Sequence, residues 1–298
     1  MRKIKITLII LSLIFFSAWF VNASQEKMEE FYYAQLISSV KEKEKKVLSE
    51  DKIHLDINSE AAISKKIDKN GNKAIIFEKN SKKGLPIASL TKLMTAIITL
   101  ENYDLDEPVL VSKEAAYQQN AYWGGNLKPN QTKTIGELLE LMLIFSSNDS
   151  AFALSEKIGR ENFIEKMNNK ADELNLKNTH FINSSGLDPI TDEIPNYSTA
   201  QDLLRIAEYV LENYPFLLKT SLKSINHKLN NSLSDLSLFE NQELVGGKTG
   251  YTKKAGGCLL TILKNKKGEY FINIVLGTKS YKERIKETQK IINLISLQ

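Results

Sequence analysis

Strand-like runs lie towards both ends of this chain, and helix-like runs fill the middle. On the N-terminal side, residues 61–67 and 73–78 are short β-type runs split by Asn70-Gly71-Asn72, a strong hairpin-turn signal. On the C-terminal side, residues 244–249 lead into Gly250, and Gly256-Gly257 opens a second run over 258–263. Asn265-Lys266-Lys267-Gly268 marks a turn, and residues 270–276 run back. Between these ends, Leu85-Pro86-Ile87-Ala88 reads as extended, because Leu85 precedes a proline. From Ser89 the pattern turns helical, with Leu90, Leu93, Met94, Ile97 and Ile98 on one face. Residues 135–145, 149–158, 162–174 and 199–211 carry the same spacing. A last helical pattern over 281–297 includes Ile285, Ile291, Ile292 and Ile295. The economical fold is α/β: one antiparallel sheet built from both chain ends, with covering helices and an inserted all-helical lobe. A functional groove is expected between sheet and lobe.

The first residues read as a targeting segment. Arg2, Lys3 and Lys5 precede an uncharged run over 6–21, and Val21-Asn22-Ala23 offers a small residue before Ser24. The run is short for a membrane span. Residues 1–23 are therefore expected to be a signal peptide or a retained N-terminal membrane anchor, with the rest of the chain exported. Residues 24–57 are rich in Glu and Lys, with Met28, Phe31, Tyr32, Leu36, Ile37 and Val40 at helical spacing. They read as a charged helical stem or spacer before a domain over 58–298.

The net charge of +4 loses three units with Arg2, Lys3 and Lys5, leaving 37 basic against 36 acidic residues, or +1. No basic-aromatic stripe appears, so no nucleic-acid partner is expected. One cysteine, Cys258, excludes an internal disulfide, and His54, His180 and His227 lack ligand spacing. Neither a metal nor any other cofactor is expected.

Three short motifs carry the chemistry. Ser89-Leu90-Thr91-Lys92 is S-x-x-K, Ser146-Ser147-Asn148 is S-x-N, and Lys248-Thr249-Gly250 is K-T-G. S-x-x-K also occurs at Ser24/Lys27, Ser38/Lys41 and Ser49/Lys52, but only Ser89 opens an apolar helix. At a helix start, residues three apart share a face, so the Ser89 hydroxyl and the Lys92 amine can meet. A serine needs a base to become a nucleophile, and a lysine can serve only if burial or a second cation lowers its pKa. Lys248 is the natural second cation. Ser146-Ser147-Asn148 sits between two apolar helices, where a loop can project into a groove. Ser146 can relay a proton between Lys92 and a leaving amine, and Asn148 can hydrogen-bond a peptide. Lys248 and Thr249 offer a cation and a hydroxyl to a carboxylate, and Gly250 leaves room beside its strand. Taken alone, each motif also fits a plain turn or cap. In this order they match the set found in penicillin-binding proteins and class A β-lactamases.

The chain resembles the low-molecular-weight penicillin-binding proteins of the serine D-Ala-D-Ala carboxypeptidase family, peptidase family S11. The stretches that carry the resemblance are LPIASLTKLMTA (85–96), LLELMLIFSSNDSAFAL (138–154), FINSSGLD (181–188), NYSTAQDLLRIA (196–207) and VGGKTGYTKKAGGCLL (245–260). The resemblance implies a β-lactamase/transpeptidase-like fold. It makes Ser89 the acylated nucleophile and Lys92 its base, with Ser146 and Lys248 completing the proton path. Asn148 would hold the substrate amide. The backbone N–H groups of Ser89 and Tyr251 would form an oxyanion hole. Thr249, beside Gly250, would bind a terminal carboxylate, and Arg284 falls where the family places an arginine for that group. The implied reaction releases the terminal D-alanine from peptidoglycan peptide stems, with β-lactams as covalent inhibitors. The implied location is the outer face of the cytoplasmic membrane, the periplasm or the cell wall. Many members carry a C-terminal β-rich domain and an amphipathic anchor. Here the sequence stops at Gln298, so a membrane tether is expected only at the N-terminus.

Three rivals share the scaffold. A D,D-endopeptidase would use the same residues on cross-linked peptides. A class A β-lactamase needs the E-x-x-L-N carboxylate, and Ala171 stands where that Glu belongs before Leu174-Asn175. A silent wall-binding protein would be expected to lack a motif residue, and every polar motif position is present.

Overall fold

The computed structural model describes residues 55–118, 126–223, 233, 235–238 and 240–296. The segment 1–23 and the stem through residue 54 lie outside the described residues. Ile57–Gln298 forms one compact unit.

The central sheet has five strands: β1 (Ala61–Ile67), β2 (Lys73–Lys79), β7 (Gln242–Thr252), β8 (Gly256–Asn265) and β9 (Tyr270–Thr278). Their order is β2-β1-β9-β8-β7, and every pair is antiparallel. The two chain ends meet where β1 pairs with β9, with Ala61 opposite Leu276 and Ile63 opposite Ile274. This is the sheet expected from the strand-helix-strand pattern. The hairpin turns are held by side chains. Asp68 Oδ1 accepts from the N–H groups of Asn70 and Asn72, and Gly71 takes a positive φ of 83°. Asn265 Oδ1 accepts from the N–H groups of Lys267 and Glu269 in the same way.

The runs CLLTIL and FINIVL are almost wholly apolar because β8 and β9 are covered on both faces, and their two polar residues, Thr261 and Asn273, are buried and hydrogen-bonded to each other. Helix α8 (Tyr281–Ser296) packs on β8 and β9, and α6 (Ala200–Asn213) packs on β9 and β1. Ile272, Ile274, Val275 and Leu276 are all fully buried. Each such side chain contributes about 1.5–3 kcal/mol through its burial.

Between β2 and β7 comes the lobe. It contains α1 (Lys92–Asn102), α2 (Lys113–Ala116), α3 (Ile135–Ile144), α4 (Asn148–Glu156), α5 (Arg160–Glu173), α6 and α7 (Pro215–Thr220). Helix α1 runs through its middle, with Lys92 to Thr99 buried without a break. Helix starts follow from local chemistry. Thr134 and Glu137 make a capping box at α3, Ser147 caps α4, and Thr199 caps α6. The lobe is more than helical. It also holds two short antiparallel pairs, β3 (Leu85–Pro86) with β6 (Tyr197–Ser198) and β4 (Pro108–Leu110) with β5 (Thr132–Thr134). Runs of two or three residues show no periodicity by which a sequence could mark them. No helix among the described residues is long and apolar enough to cross a membrane.

Candidate active site

The turn that carries Ser89 differs in detail from the sequence expectation. The extended segment ends at Pro86, Ile87 is already near helical angles, and Ala88 takes a left-handed φ of 46°. Ala88–Thr91 then form a 3-10 turn, so the α-helix begins at Lys92 and not at Ser89. The left-handed residue turns the chain sharply off β3. Two glycines press on this turn. A Cβ on Gly250 would lie 3.1 Å from Ser89 N, and one on Gly186 would lie 1.9 Å from the Ala88 carbonyl oxygen. Ser89 stays half-exposed while its neighbours Leu90, Thr91 and Lys92 are buried.

Lys92 is completely buried, and its Nζ has three oxygen neighbours. Ser89 Oγ lies at 2.9 Å, Asn148 Oδ1 at 2.7 Å and the Ser185 carbonyl at 2.5 Å. The last two can only accept hydrogen bonds. A neutral amine has two N–H groups and one lone pair. Spending its N–H groups on Asn148 and Ser185 leaves the lone pair facing the Ser89 hydroxyl. Burial drives the Lys92 pKa down to about 7, against an opposing pull from the Asp149 carboxylate.

The S-x-N motif sits where α3 passes into α4. Ser146 takes a left-handed φ of 58°, Ser147 caps α4 by accepting from Ser150 N, and Asn148 is the first helical residue. Ser146 Oγ accepts from Lys248 Nζ at 2.7 Å, and Lys248 also donates to the Thr249 carbonyl. Lys248 is completely buried on β7. Burial first, then the charges of Lys92 and Arg284, hold its pKa well below that of a free lysine.

The K-T-G strand runs two residues past Gly250, to Thr252, as the outer strand of the sheet beside the Ser89 turn. Thr249 is nearly buried and Tyr251 is half-exposed. Arg284 reaches back from α8 and donates through Nη1 to the Gly250 carbonyl at 2.6 Å. Burial lowers its pKa to about 10. The fold thus gathers Ser89, Lys92, Ser146, Asn148, Lys248, Thr249, Gly250 and Arg284 into one connected cluster, with the exposed Tyr251 next in the strand.

Some of the residues that build this cluster were not foreseen. The Ser185 carbonyl belongs to the quoted stretch 181–188 but was given no role. Asp149 is fully buried beside the S-x-N turn, where its carboxylate accepts from Leu127 N, Ser150 N and Ser147 Oγ. Asp188 accepts from Thr252 Oγ1 and Lys254 N, tying the 181–188 loop to the end of β7. A carbonyl is present at every residue, so residue type alone does not flag Ser185.

Comparison with known proteins identifies the family and the fold. The model of the D-alanyl-D-alanine carboxypeptidase family, Peptidase_S11, matches residues 45–280. The D-alanyl-D-alanine carboxypeptidase DacF of Bacillus subtilis is 33% identical over 231 residues, covering 74% of this chain and 58% of its own length. A D-alanyl-D-alanine endopeptidase of Pseudomonas aeruginosa is 30% identical over 215 residues, covering 65% of this chain and 64% of its own. The chain thus spans about three fifths of the length of these relatives. Among solved structures, penicillin-binding protein D2 of Listeria monocytogenes in its cefotaxime-bound form aligns with a TM-score of 0.66 and 30% identity. That alignment covers 81% of this chain and 98% of the other. With a family match across most of its length and a penicillin-binding protein fold, the chain belongs to the D-alanyl-D-alanine carboxypeptidase family, Peptidase_S11.

Proposed function

We propose that this protein is a serine D,D-carboxypeptidase that removes the terminal D-alanine from peptidoglycan peptide stems. The observation that carries the reading is the Ser89 Oγ–Lys92 Nζ contact of 2.9 Å at a fully buried lysine with a pKa of about 7. At that pKa a large fraction of the amine is neutral near pH 7 and can act as a base.

In this reading Ser89 attacks the penultimate carbonyl and its proton passes to Lys92. The backbone N–H groups of Ser89 and Tyr251 stabilise the oxyanion. Ser146 and Lys248, already hydrogen-bonded, form the path that returns a proton to the departing D-alanine amine. Thr249 binds the terminal carboxylate, and Arg284 adds positive charge behind it. Asn148 orients both Lys92 and the substrate amide. Water then clears the acyl-enzyme. A β-lactam acylates Ser89 in the same way and leaves slowly. Residues 58–298 make up the catalytic domain. Residues 1–23 direct export or tether the protein to the membrane, and 24–57 space the domain from it.

A second reading, cleavage of cross-links, is favoured by one observation: a relative of 30% identity bears the name D-alanyl-D-alanine endopeptidase. Monomer release from cross-linked muropeptide dimers, faster than D-alanine release from pentapeptide, would establish it. The β-lactamase reading gains no support, because Ala171 is buried in the helical core and Glu173 pairs with Lys170 at the surface.

A labelled penicillin tests the main reading. The parent protein is expected to become covalently labelled and to release D-alanine from pentapeptide, while Ser89→Ala does neither. Equal labelling of Ser89→Ala would remove Ser89 from the mechanism.

A further inference from the structure

We propose that Asn196 is a positioning residue for acylation: it fixes the Ser185 carbonyl against the Lys92 amine and thereby aims the lone pair of that amine at Ser89. The inference rests on the reading of Lys92 as the base.

Asn196 is 1% exposed and touches neither Ser89 nor Lys92 through any hydrogen bond. Its side chain joins two pieces of the site. On one side, Nδ2 donates to Thr91 Oγ1 at 3.0 Å, within the Ser89 turn. On the other, Oδ1 accepts from Ile182 N at 2.7 Å and Asn183 N at 3.2 Å, and Nδ2 donates to the Asn183 carbonyl at 2.9 Å. Both amide hydrogens and both lone pairs are used. The Asn196 backbone carbonyl also accepts from Ile87 N at 3.2 Å. That contact continues the short β3–β6 pairing in which Pro86 faces Tyr197.

The segment that Asn196 holds is the one that presents the carbonyl. Asn183 Oδ1 accepts from Gly186 N at 2.7 Å and Ser185 N at 3.2 Å, which closes the 183–186 turn. Thr95 Oγ1 on α1 donates to the Ser184 carbonyl at 2.6 Å. The Ser185 carbonyl then points at Lys92 Nζ. The turn and the nucleophile are thereby set in one frame, with Asn196 as the amide that spans both. No other side chain of similar size offers paired donors and acceptors in this arrangement. Aspartate would bring a carboxylate against the Asn183 carbonyl, and leucine would leave buried backbone N–H groups unpaired.

A loosened Ser185 carbonyl frees one Lys92 N–H to compete for Ser89 Oγ as an acceptor. The lone pair then no longer faces the hydroxyl by default. The effect falls on the chemical step and not on substrate binding.

Rapid kinetics with a chromogenic cephalosporin separate the two, by giving the pre-acylation Kd and the acylation rate constant. Asn196→Ala is expected to lower the rate constant about ten- to a hundredfold and to leave Kd within about twofold. In a Lys92→Ala background the same change is expected to add less than about twofold, because the residue it acts through is gone. An equal loss in both backgrounds, or a loss confined to Kd, would overturn the proposal. Should Asn196→Ala fail to fold, Thr91→Val removes one acceptor from the far side of the amide. It is expected to slow acylation about threefold, again only when Lys92 is present. An unchanged rate in Thr91→Val would also overturn the proposal. If Lys92→Ala alone acylates as fast as the parent, the lysine base itself is wrong, and that failure is recognised before Asn196 is tested.

Discussion

Arg284 Nη1 and the Gly250 carbonyl oxygen lie 2.6 Å apart, so a buried arginine on the last helix pins the strand that carries Lys248 and Thr249. The same cation helps keep the Lys248 pKa low. Arg284→Ala removes both the pin and the charge. Losing a buried charged hydrogen bond costs about 1.5–3 kcal/mol, which corresponds to roughly ten- to a hundredfold in kcat/KM for D-alanine release. A steady-state assay on a pentapeptide checks this. Parent-level turnover would mean that Arg284 serves neither the strand nor the carboxylate.

In the proposed mechanism Lys92 must be neutral to take the Ser89 proton. With its pKa at about 7, the neutral fraction grows as pH rises through that value. The acylation rate constant should climb about tenfold per pH unit on the acid side and level off above about pH 8. Stopped-flow acylation by a cephalosporin across that range reads it directly. A midpoint near the ordinary lysine value would show that the amine is solvated and does not act as the base.

Asp149 opposes burial by favouring the charged form of Lys92. The charged groups that bear on the lysine are thus Asp149 from α4 and Lys248 from β7, with Arg284 behind Lys248. Asp149→Asn deletes the negative charge but keeps one acceptor oxygen, so only one of the contacts from Leu127 N and Ser150 N survives. The acid limb of the acylation profile should therefore move to lower pH. A slower rate with an unmoved limb would assign Asp149 a purely structural part.

What the sequence made legible divides along physical lines. Ser89 and Lys92 are three apart, so their meeting was legible from spacing, although a 3-10 turn and not the α-helix carries Ser89. Ser146 and Lys248 are far apart in sequence, and only the motif order linked them. Their 2.7 Å contact depends on a left-handed Ser146 that no propensity favours. Ile87 and Ala88 were expected to be extended, yet tertiary contacts with Gly186 and Gly250 hold them in a sharp turn. The strands were readable because β8 and β9 are buried on both faces. The β3–β6 pair was not, since two residues show no period, and with it went the placement of Asn196.

Gly186 offers a sharp stability test. It sits at φ 81°, and an added Cβ would lie 1.9 Å from the Ala88 carbonyl oxygen and 2.8 Å from Thr91 Oγ1. Gly84 has no atom within 4 Å of the same position. Gly186→Ala should cost about 3 kcal/mol or more and abolish penicillin labelling, whereas Gly84→Ala should be near neutral. Denaturant melts of both variants decide it. Similar midpoints would mean that the Ser89 turn can move away at little cost.

Burying Lys92 also shapes stability. Its folded pKa of about 7 lies below the ordinary lysine value of 10.5. The unfolded chain therefore binds more protons between those values, and stability rises with pH across the window. This contribution is complete above 10.5 and is lost as pH falls through about 7. Lys92→Met lacks it, so the parent should gain in Tm relative to that variant as pH rises from about 7 to about 10. A constant Tm difference would contradict the depressed pKa.

The pairing of β1 with β9 also governs when this molecule can come into being. Ile63 finds its neighbour Ile274 only after more than two hundred intervening residues have been made. Until then β1 and β2 are a lone hairpin, marginal in water, and the sheet on which α6 and α8 pack does not exist. A topology so rich in distant contacts folds slowly, and its half-made chain exposes the surface that later becomes core. Ser89 emerges early in synthesis with Lys92 beside it in sequence, but the β7 residues Lys248 and Gly250 that complete its surroundings emerge only near the end. In the proposed mechanism, the proton path through Ser146 and Lys248 is therefore missing until the fold is complete.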